Sequence, residues 1–298
     1  EVYYWYVVHP KISDELPSFV NPDGVQGTAQ EFQQPPTGVF WREFLFHHND
    51  SGYPLLKDRL AGVGDVWRAA RAVSGWVVGS MAFTSDNERA IEPVRIYRKH
   101  IGRCGEHQDI ACAAARAALI PNVPTSNMAE DHVWNEFWDG RWVHWDANSA
   151  NNMDRCFSHD KDYSGGKDLS TVWSWDGDGR TWSVTNKYTP TCNYTAFVQD
   201  ADGNPVDSAG IWVLTENYYD PQSLTWTTWG TTNASGYASF ELGNVRNYWS
   251  SAETEALGED PPDQGGGERV VQVISGAQIG GSYTRSFTLP NAFDLPSM

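Results

Sequence analysis

The dipeptide Asp139-Gly140 separates two aromatic runs, HVWNEFW at 132–138 and RWVHWD at 141–146. A turn dipeptide between such runs reads as a β-hairpin. Side chains alternate between the two faces of a strand, so the loop length decides which of them meet, and a one-residue slip turns every one over. A two-residue loop pairs Trp138 with Arg141 and puts His132 and Asp146 on opposite faces. A three-residue loop ending in Gly140, built as a type I turn with a G1 bulge, pairs Phe137 with Arg141 instead. It sets His132 directly opposite Asp146, sets Trp134 opposite His144, and requires Gly140 at positive φ.

The hairpin follows the strongest helical stretch in the chain, residues 103–120, which Pro121 ends. Alanine is the best helix former, and Ile110, Ala114, Ala117 and Ala118 give a small-residue face against which another element can pack closely. Cys104 falls in the first turn, where unpaired N–H groups and the positive end of the helix dipole favour a thiolate. An imidazole beside the thiol completes a thiolate–imidazolium pair, and a carboxylate fixes the imidazole tautomer. His132 and Asp146 are the candidates, with the Cys104 backbone N–H as an oxyanion donor. Cys112 lies two turns further on and is expected in the core. His107 is expected to be a solvated helix residue, and Glu106 and Glu136 are read as structural hydrogen-bonding groups.

The blocks GRCGE, DHVWNEFW and WVHWDA are similar to the transglutaminase-like superfamily, and GRCGE with DHVW-x-E resembles its peptide:N-glycanase branch most closely. The later segment SVTNKYT resembles the one that closes the catalytic core in that branch. The resemblance spans about 55 to 190. It implies an α+β, papain-like core in which the helix carrying the Cys packs on an antiparallel sheet. It also implies a triad of Cys104, His132 and Asp146, and a Trp upstream of the Cys that helps to stabilise the oxyanion. Trp76 in SGWVVGSMAF is the nearest match, and Trp134 is the second candidate on the oxyanion and substrate side. The cytosolic glycanases carry paired C-x-x-C zinc motifs before the nucleophile, whereas no Cys precedes Cys104 here. Their zinc subdomain and their action on misfolded glycoproteins are therefore not carried over.

Elsewhere, 2–8 (VYYWYVV) and 39–47 (VFWREFLFH) read as strands, with a Pro/Gly/Gln-rich loop over roughly 10–38 between them. Residues 55–83 and about 87–100 read as helical, 148–170 as polar connection, and TVWSW-DGDG-RTWSVTNKYT as a second hairpin. From about 189–192 only strand and turn signals remain. The expected division is a catalytic domain over 1–190, its first 50 residues matching nothing identifiable, and an all-β sandwich over 191–298. That sandwich resembles carboxypeptidase-regulatory or bacterial Ig-like modules. Within it, 251–267 reads as an acidic Pro/Gly loop and 200–204 (DADGN) as a hairpin turn, since no downstream Glu completes a calcium loop.

The formal charge of −17 disfavours phosphate backbones and anionic lipid surfaces, so no nucleic-acid partner is expected. No apolar run is long enough to span a membrane. The acidic, lysine-poor chain and its start at Glu1 point to a mature secreted or cell-surface product. In an oxidising compartment Cys156 and Cys192 could form a disulfide. His47, His48 and His144 lack ligand spacing, so no metal or cofactor is expected. The 15 Trp leave carbohydrate contact by the C-terminal domain open. The expected activity is amide cleavage in a protein, peptide or glycoprotein through an acyl-enzyme. An amine acceptor would make it a cross-linker, and a non-catalytic extracellular binding or structural protein on the same fold is the rival class.

Overall fold

The computed structural model describes residues 2–8, 19–20, 39–84, 90, 92–148, 152–156, 168–176, 179–261 and 269–290. The fold is α+β, and the chain divides into two compact units. The first comprises Glu1–Ser126, His132–Arg155 and Trp173–Trp182, and the second Asn127–Asp131, Cys156–Val172 and Ser183–Met298.

The first unit opens with a helical turn over Tyr4–Val8 and a two-residue ladder of β1 (Phe19–Val20) with β2 (Val39–Phe40). Five helices follow: α1 (Trp41–His47), α2 (Leu56–Leu60), α3 (Val66–Ser80), α4 (Pro93–Lys99) and α5 (Cys104–Ala117). A short parallel pair, β3 (Ala82–Phe83) with β4 (Ile101–Gly102), leads directly into α5. The main sheet has the order β7-β6-β5-β8-β9. Its strands are β5 (Asn122–Asn127), β6 (His132–Trp138), β7 (Trp142–Trp145), β8 (Trp173–Trp175) and β9 (Thr181–Ser183). A one-turn helix, α6 (Thr185–Tyr188), follows β9, so TNKY is helical where the sequence suggested strand.

Helix α5 is central to this unit because alanine lets neighbours approach it from every side. Ile110 through Ala115 are all 0% exposed, enclosed by Trp41, Leu45, Trp76, Tyr97, Phe137 and Trp145. The helix ends at Ala117, short of Pro121, as Leu119 takes a left-handed turn with φ of 62°. The strands expected over 2–8 and 39–47 are helical beyond Phe40. Trp41 and Leu45, four apart, are both buried, so helical periodicity overrides the aromatic strand propensity. Arg42 holds the two segments to α5, donating to the Val7 carbonyl and, at 2.8 Å, to that of Arg116. The 10–38 loop, apart from 19–20, lies outside the described residues, as do 85–89 and 91 before α4.

The second unit contains a three-stranded and a five-stranded sheet around one core. The strands are β10 (Thr191–Gln199), β11 (Gly210–Glu216), β12 (Leu224–Thr231), β13 (Tyr237–Gly243), β14 (Tyr248–Thr254), β15 (Gly258–Asp260), β16 (Val271–Ile274) and β17 (Ser282–Thr288). One sheet runs β13-β10-β17, with β10 and β17 parallel. The other runs β12-β11-β14-β15, with β16 also pairing β14. Alternate residues of β10 (Cys192, Tyr194, Ala196 and Val198) face the core beside Ile211, Val213, Leu242 and Phe287. This alternation is what a half-buried strand requires.

Two expectations need correction here. The stretch 251–261 is not loop: it completes β14, turns, and forms β15, while 262–268 lie outside the described residues. No disulfide joins Cys156 to Cys192; Cys192 is buried in the sandwich core, where burial pushes its thiol up. Residues 200–204 close as a turn: Asp200 accepts from the backbone N–H groups of Asp202 and Asn204 and from the Asn204 amide. Among the described residues no helix is long and apolar enough to cross a membrane.

Candidate functional site

The hairpin is closed by residues 139–141, between paired Trp138 and Trp142. Gly140 sits at φ 72°, the left-handed conformation its lack of a Cβ permits. The register differs from the expected one, since Glu136 faces His144 and Phe137 faces Val143. Both flanks of the turn are held from outside the hairpin. Asp139 accepts the Trp67 indole N–H at 2.6 Å, and Arg141 makes two bonds to the Asp154 carboxylate, at 2.9 and 2.6 Å. The turn therefore centres on Gly140 rather than ending there. Continued to the hairpin's open end, this register sets Asp146 opposite Trp134, two residues from the expected partner. A two-residue shift preserves the face. His132 and Asp146 thus still share one side, and His132 Nε2 lies 3.3 Å from Asp146 Oδ2 with both residues 2% exposed.

The carboxylate is set from behind. Its Oδ1 accepts the Asn148 backbone N–H at 3.1 Å, and the Asp146 N–H donates to the Asn152 carbonyl at 3.0 Å. Trp134, two residues along from His132, stacks on the imidazole at 5.4 Å with planes 24° apart. Trp134 is 1% exposed, so it backs the imidazole rather than facing a substrate. With Nε2 on the carboxylate, Nδ1 is the ring nitrogen left to address a thiol.

Cys104 is the first residue of α5 and is half-buried. Its position follows from the residues around it. Glu106 turns back so that its Oε2 accepts the Arg103 backbone N–H at 2.7 Å, which closes the helix start. A Cβ at Gly102 would lie 2.3 Å from the Glu106 Cβ, so only glycine fits against the first turn in this backbone. Helix α5 packs on β6, and the Asn135 amide of β6 donates to the Gln108 carbonyl at 3.2 Å and to Asn122 Oδ1 at 3.1 Å.

His107 departs from its expected place. It is not solvated but 4% exposed, and its Nδ1 lies 2.8 Å from the Arg103 carbonyl, which requires the Nδ1–H tautomer. Burial holds its pKa below the ordinary imidazole value, against the opposing pull of the Arg103 bond and the Asp146 and Glu106 charges. A His three residues after a helix-initial Cys was the available signal.

The Trp76 indole does not serve the oxyanion. It is fully buried, donates to the Pro54 carbonyl at 3.0 Å and stacks on Tyr97 at 5.4 Å, so its N–H is already committed. Cys112 is 0% exposed in the core. Glu136 is buried in β6, His47 pairs with Glu43 at 3.6 Å, and His48 contacts Asp50 at 3.0 Å. Buried His144 accepts the Arg155 N–H at 3.4 Å. No cluster of metal-ligating side chains occurs among the described residues.

Residues 55–147 match the family model of the transglutaminase-like superfamily, a span that holds Cys104, His132 and Asp146. No curated protein matches the sequence. Among solved structures, the chain is similar to red sea bream transglutaminase at 10% identity and a TM-score of 0.37, covering 84% of this chain and 61% of that one. It is also similar to a candidate cysteine protease from Cytophaga hutchinsonii at 16% identity and a TM-score of 0.29, covering 47% and 55%. A dioxygenase domain from Streptomyces sp. SirexAA-E matches at 12% identity and a TM-score of 0.24, covering 35% and 82%. The chain therefore spans little more than half the length of the transglutaminase and of the Cytophaga protein. Residues 55–147, from the start of α2 to just past Asp146, are a transglutaminase-like domain.

Proposed function

We propose that the first unit is a cysteine hydrolase or acyltransferase acting on amide bonds. The observation that carries this reading is the buried 3.3 Å contact between His132 Nε2 and Asp146 Oδ2, on a strand that packs against the helix starting at Cys104. The Cys104 thiolate attacks the amide carbonyl, and the oxyanion lies against the Cys104 backbone N–H at the positive end of α5. The His132 imidazolium gives its proton to the leaving amine, and a thioester remains on Cys104. His132 then takes a proton from the acceptor and Asp146 keeps the ring in register. Water as acceptor makes the reaction hydrolysis; a primary amine makes it cross-linking. The motif wording around Cys104 and His132 favours hydrolysis. The acidic, lysine-poor surface supports a protein, peptide or glycoprotein substrate met outside the cell.

The test is to incubate the whole protein with a glycopeptide, a plain peptide, and a Gln-containing peptide plus a primary amine, with Cys104→Ala as control. Turnover of one donor by the wild type alone supports the reading and names the acceptor. Identical behaviour of the two proteins, together with iodoacetamide labelling of Cys104 no faster than that of a free thiol, would leave the non-catalytic alternative.

A further inference from the structure

The five-stranded sheet of the second unit carries a tryptophan platform on its outer face. Trp212 of β11 is half-buried and sits directly opposite Trp229 of β12, while Trp226 lies opposite Leu214. The Trp212 ring centroid is 5.4 Å from that of Trp226 and 6.3 Å from that of Trp229, and each of those rings is tilted 32° from it. Trp226 is 55% exposed and Trp229 56%. Residues three apart on a regular strand point to opposite faces, so two neighbouring outward tryptophans here need a cause. The cause is a bulge between Val213 and Leu214, where Thr227 is the extra residue and pairs with neither. Thr227 and Thr228 are consecutive and both buried.

The bulge is pinned from inside. Thr227 Oγ1 lies 2.6 Å from Ser170 Oγ and 2.8 Å from Thr171 Oγ1, and the Thr171 hydroxyl also donates to the Thr227 carbonyl at 2.7 Å. The same face continues onto β14, where Ser251 pairs with Trp212 and Glu253 lies two residues on. Trp212, Trp226, Ser251 and Glu253 line an open cavity of about 580 Å³, and Trp229 continues the same face beside Trp212. Trp212 Nε1 donates to Glu253 at 2.8 Å, so the indole N–H is consumed, and the wall presents a carboxylate, hydroxyls and the Arg269 guanidinium, which donates to Glu259.

We infer that this face binds a pyranose oligosaccharide. An apolar C–H face of a sugar ring fits an exposed indole plane, and its hydroxyls donate to Glu253 and exchange bonds with Ser251 and Thr225. A proline-rich peptide offers carbonyl acceptors and almost no donors, so it leaves the Glu253 carboxylate with no new partner beyond the Trp212 N–H. An apolar partner would desolvate the carboxylate without replacing its water. The site lies wholly in the second unit and is independent of the Cys104 chemistry.

The experiment titrates the full chain with cellohexaose, chitohexaose and xylohexaose, read by tryptophan fluorescence and calorimetry, with decaproline as the peptide probe. At least one hexasaccharide should bind. Trp226→Ala and Trp229→Ala should each weaken that binding about tenfold or more. Tyr237→Ala, exposed on the other sheet, should leave it unchanged. Melting temperatures of the three variants establish that each is folded. The inference is overturned if no hexasaccharide binds at millimolar concentration, if binding survives in the Trp226→Ala/Trp229→Ala double variant, or if decaproline binds instead. It is likewise overturned if the face proves to hold a second copy of the chain, seen as a dimer in sedimentation that the double variant abolishes.

Discussion

The loop at 139–141 in the first unit and the bulge at Thr227 in the second both break regular strand pairing, with opposite consequences. The loop displaces the β6–β7 register by two residues from the simplest G1-bulge hairpin, and an even shift keeps His132 and Asp146 on one face. The bulge adds a single residue, and that odd shift brings Trp226 and Trp229 to a face they could not otherwise share. One irregularity is harmless to the site because it preserves parity; the other makes a surface because it changes parity. What matters in each place is whether the number of added residues is even or odd.

The most severe break is deletion of Val143 inside β7, with the 139–141 turn left intact. Every residue beyond it moves by one, so Asp146 should turn to the face opposite His132, and turnover should fall to the level of Cys104→Ala, on the order of 10⁴-fold or more. Circular dichroism would show whether the sheet survives. Asp146→Asn keeps the register and removes only the charge; a drop in kcat on the order of 10²- to 10⁴-fold with little change in KM is expected. In the second unit, Thr171→Val removes two hydrogen bonds that pin the bulge, at a cost of about 2 kcal/mol in denaturant unfolding. Gly140→Ala strains a left-handed residue without changing loop length. It should cost about 1 kcal/mol and leave activity intact, which separates strain from parity.

The smallest effect is a pH dependence at His107. In the unfolded chain the imidazole takes its proton near pH 6.5, while burial lowers that value in the folded protein. Between the two values the unfolded state binds more protons, so stability falls as the pH drops below about 6.5 and levels off below the folded value. His107→Gln should remove that part of the slope in urea midpoints measured from pH 7.5 to 5.

The parts of this fold that were readable in sequence are those whose cause is local. An alanine run places α5, and Gly140 announces a left-handed turn. The His132–Asp146 pairing followed from period-two alternation even with the register displaced. Segments 2–8 and 39–47 were misread because their aromatic and β-branched composition says strand, while burial of Trp41 and Leu45 four apart says helix. The acidic, glycine-containing composition of 251–260 concealed the end of β14 and all of β15. The bulge at Thr227 had no local signal at all. Its pins are hydroxyls of Ser170 and Thr171, more than fifty residues away, and no pattern within β12 announces them. His107 was hidden differently: a polar residue on an alanine helix looks solvated until the packing around it is known.

The crowding of Gly102 against Glu106 bears on how related sequences should be read. A side chain at the first position meets the Cβ that every residue but glycine carries at the second, so the turn between them must open, and with it the closure of the helix start by Glu106 at the Arg103 N–H. The spelling Gly-x-Cys-x-Glu is in that sense a steric rule with a thiol inside it. A sequence that has the Cys but breaks the Gly/Glu pair should present its thiol on a differently built, looser helix terminus, even where the rest of the triad is intact.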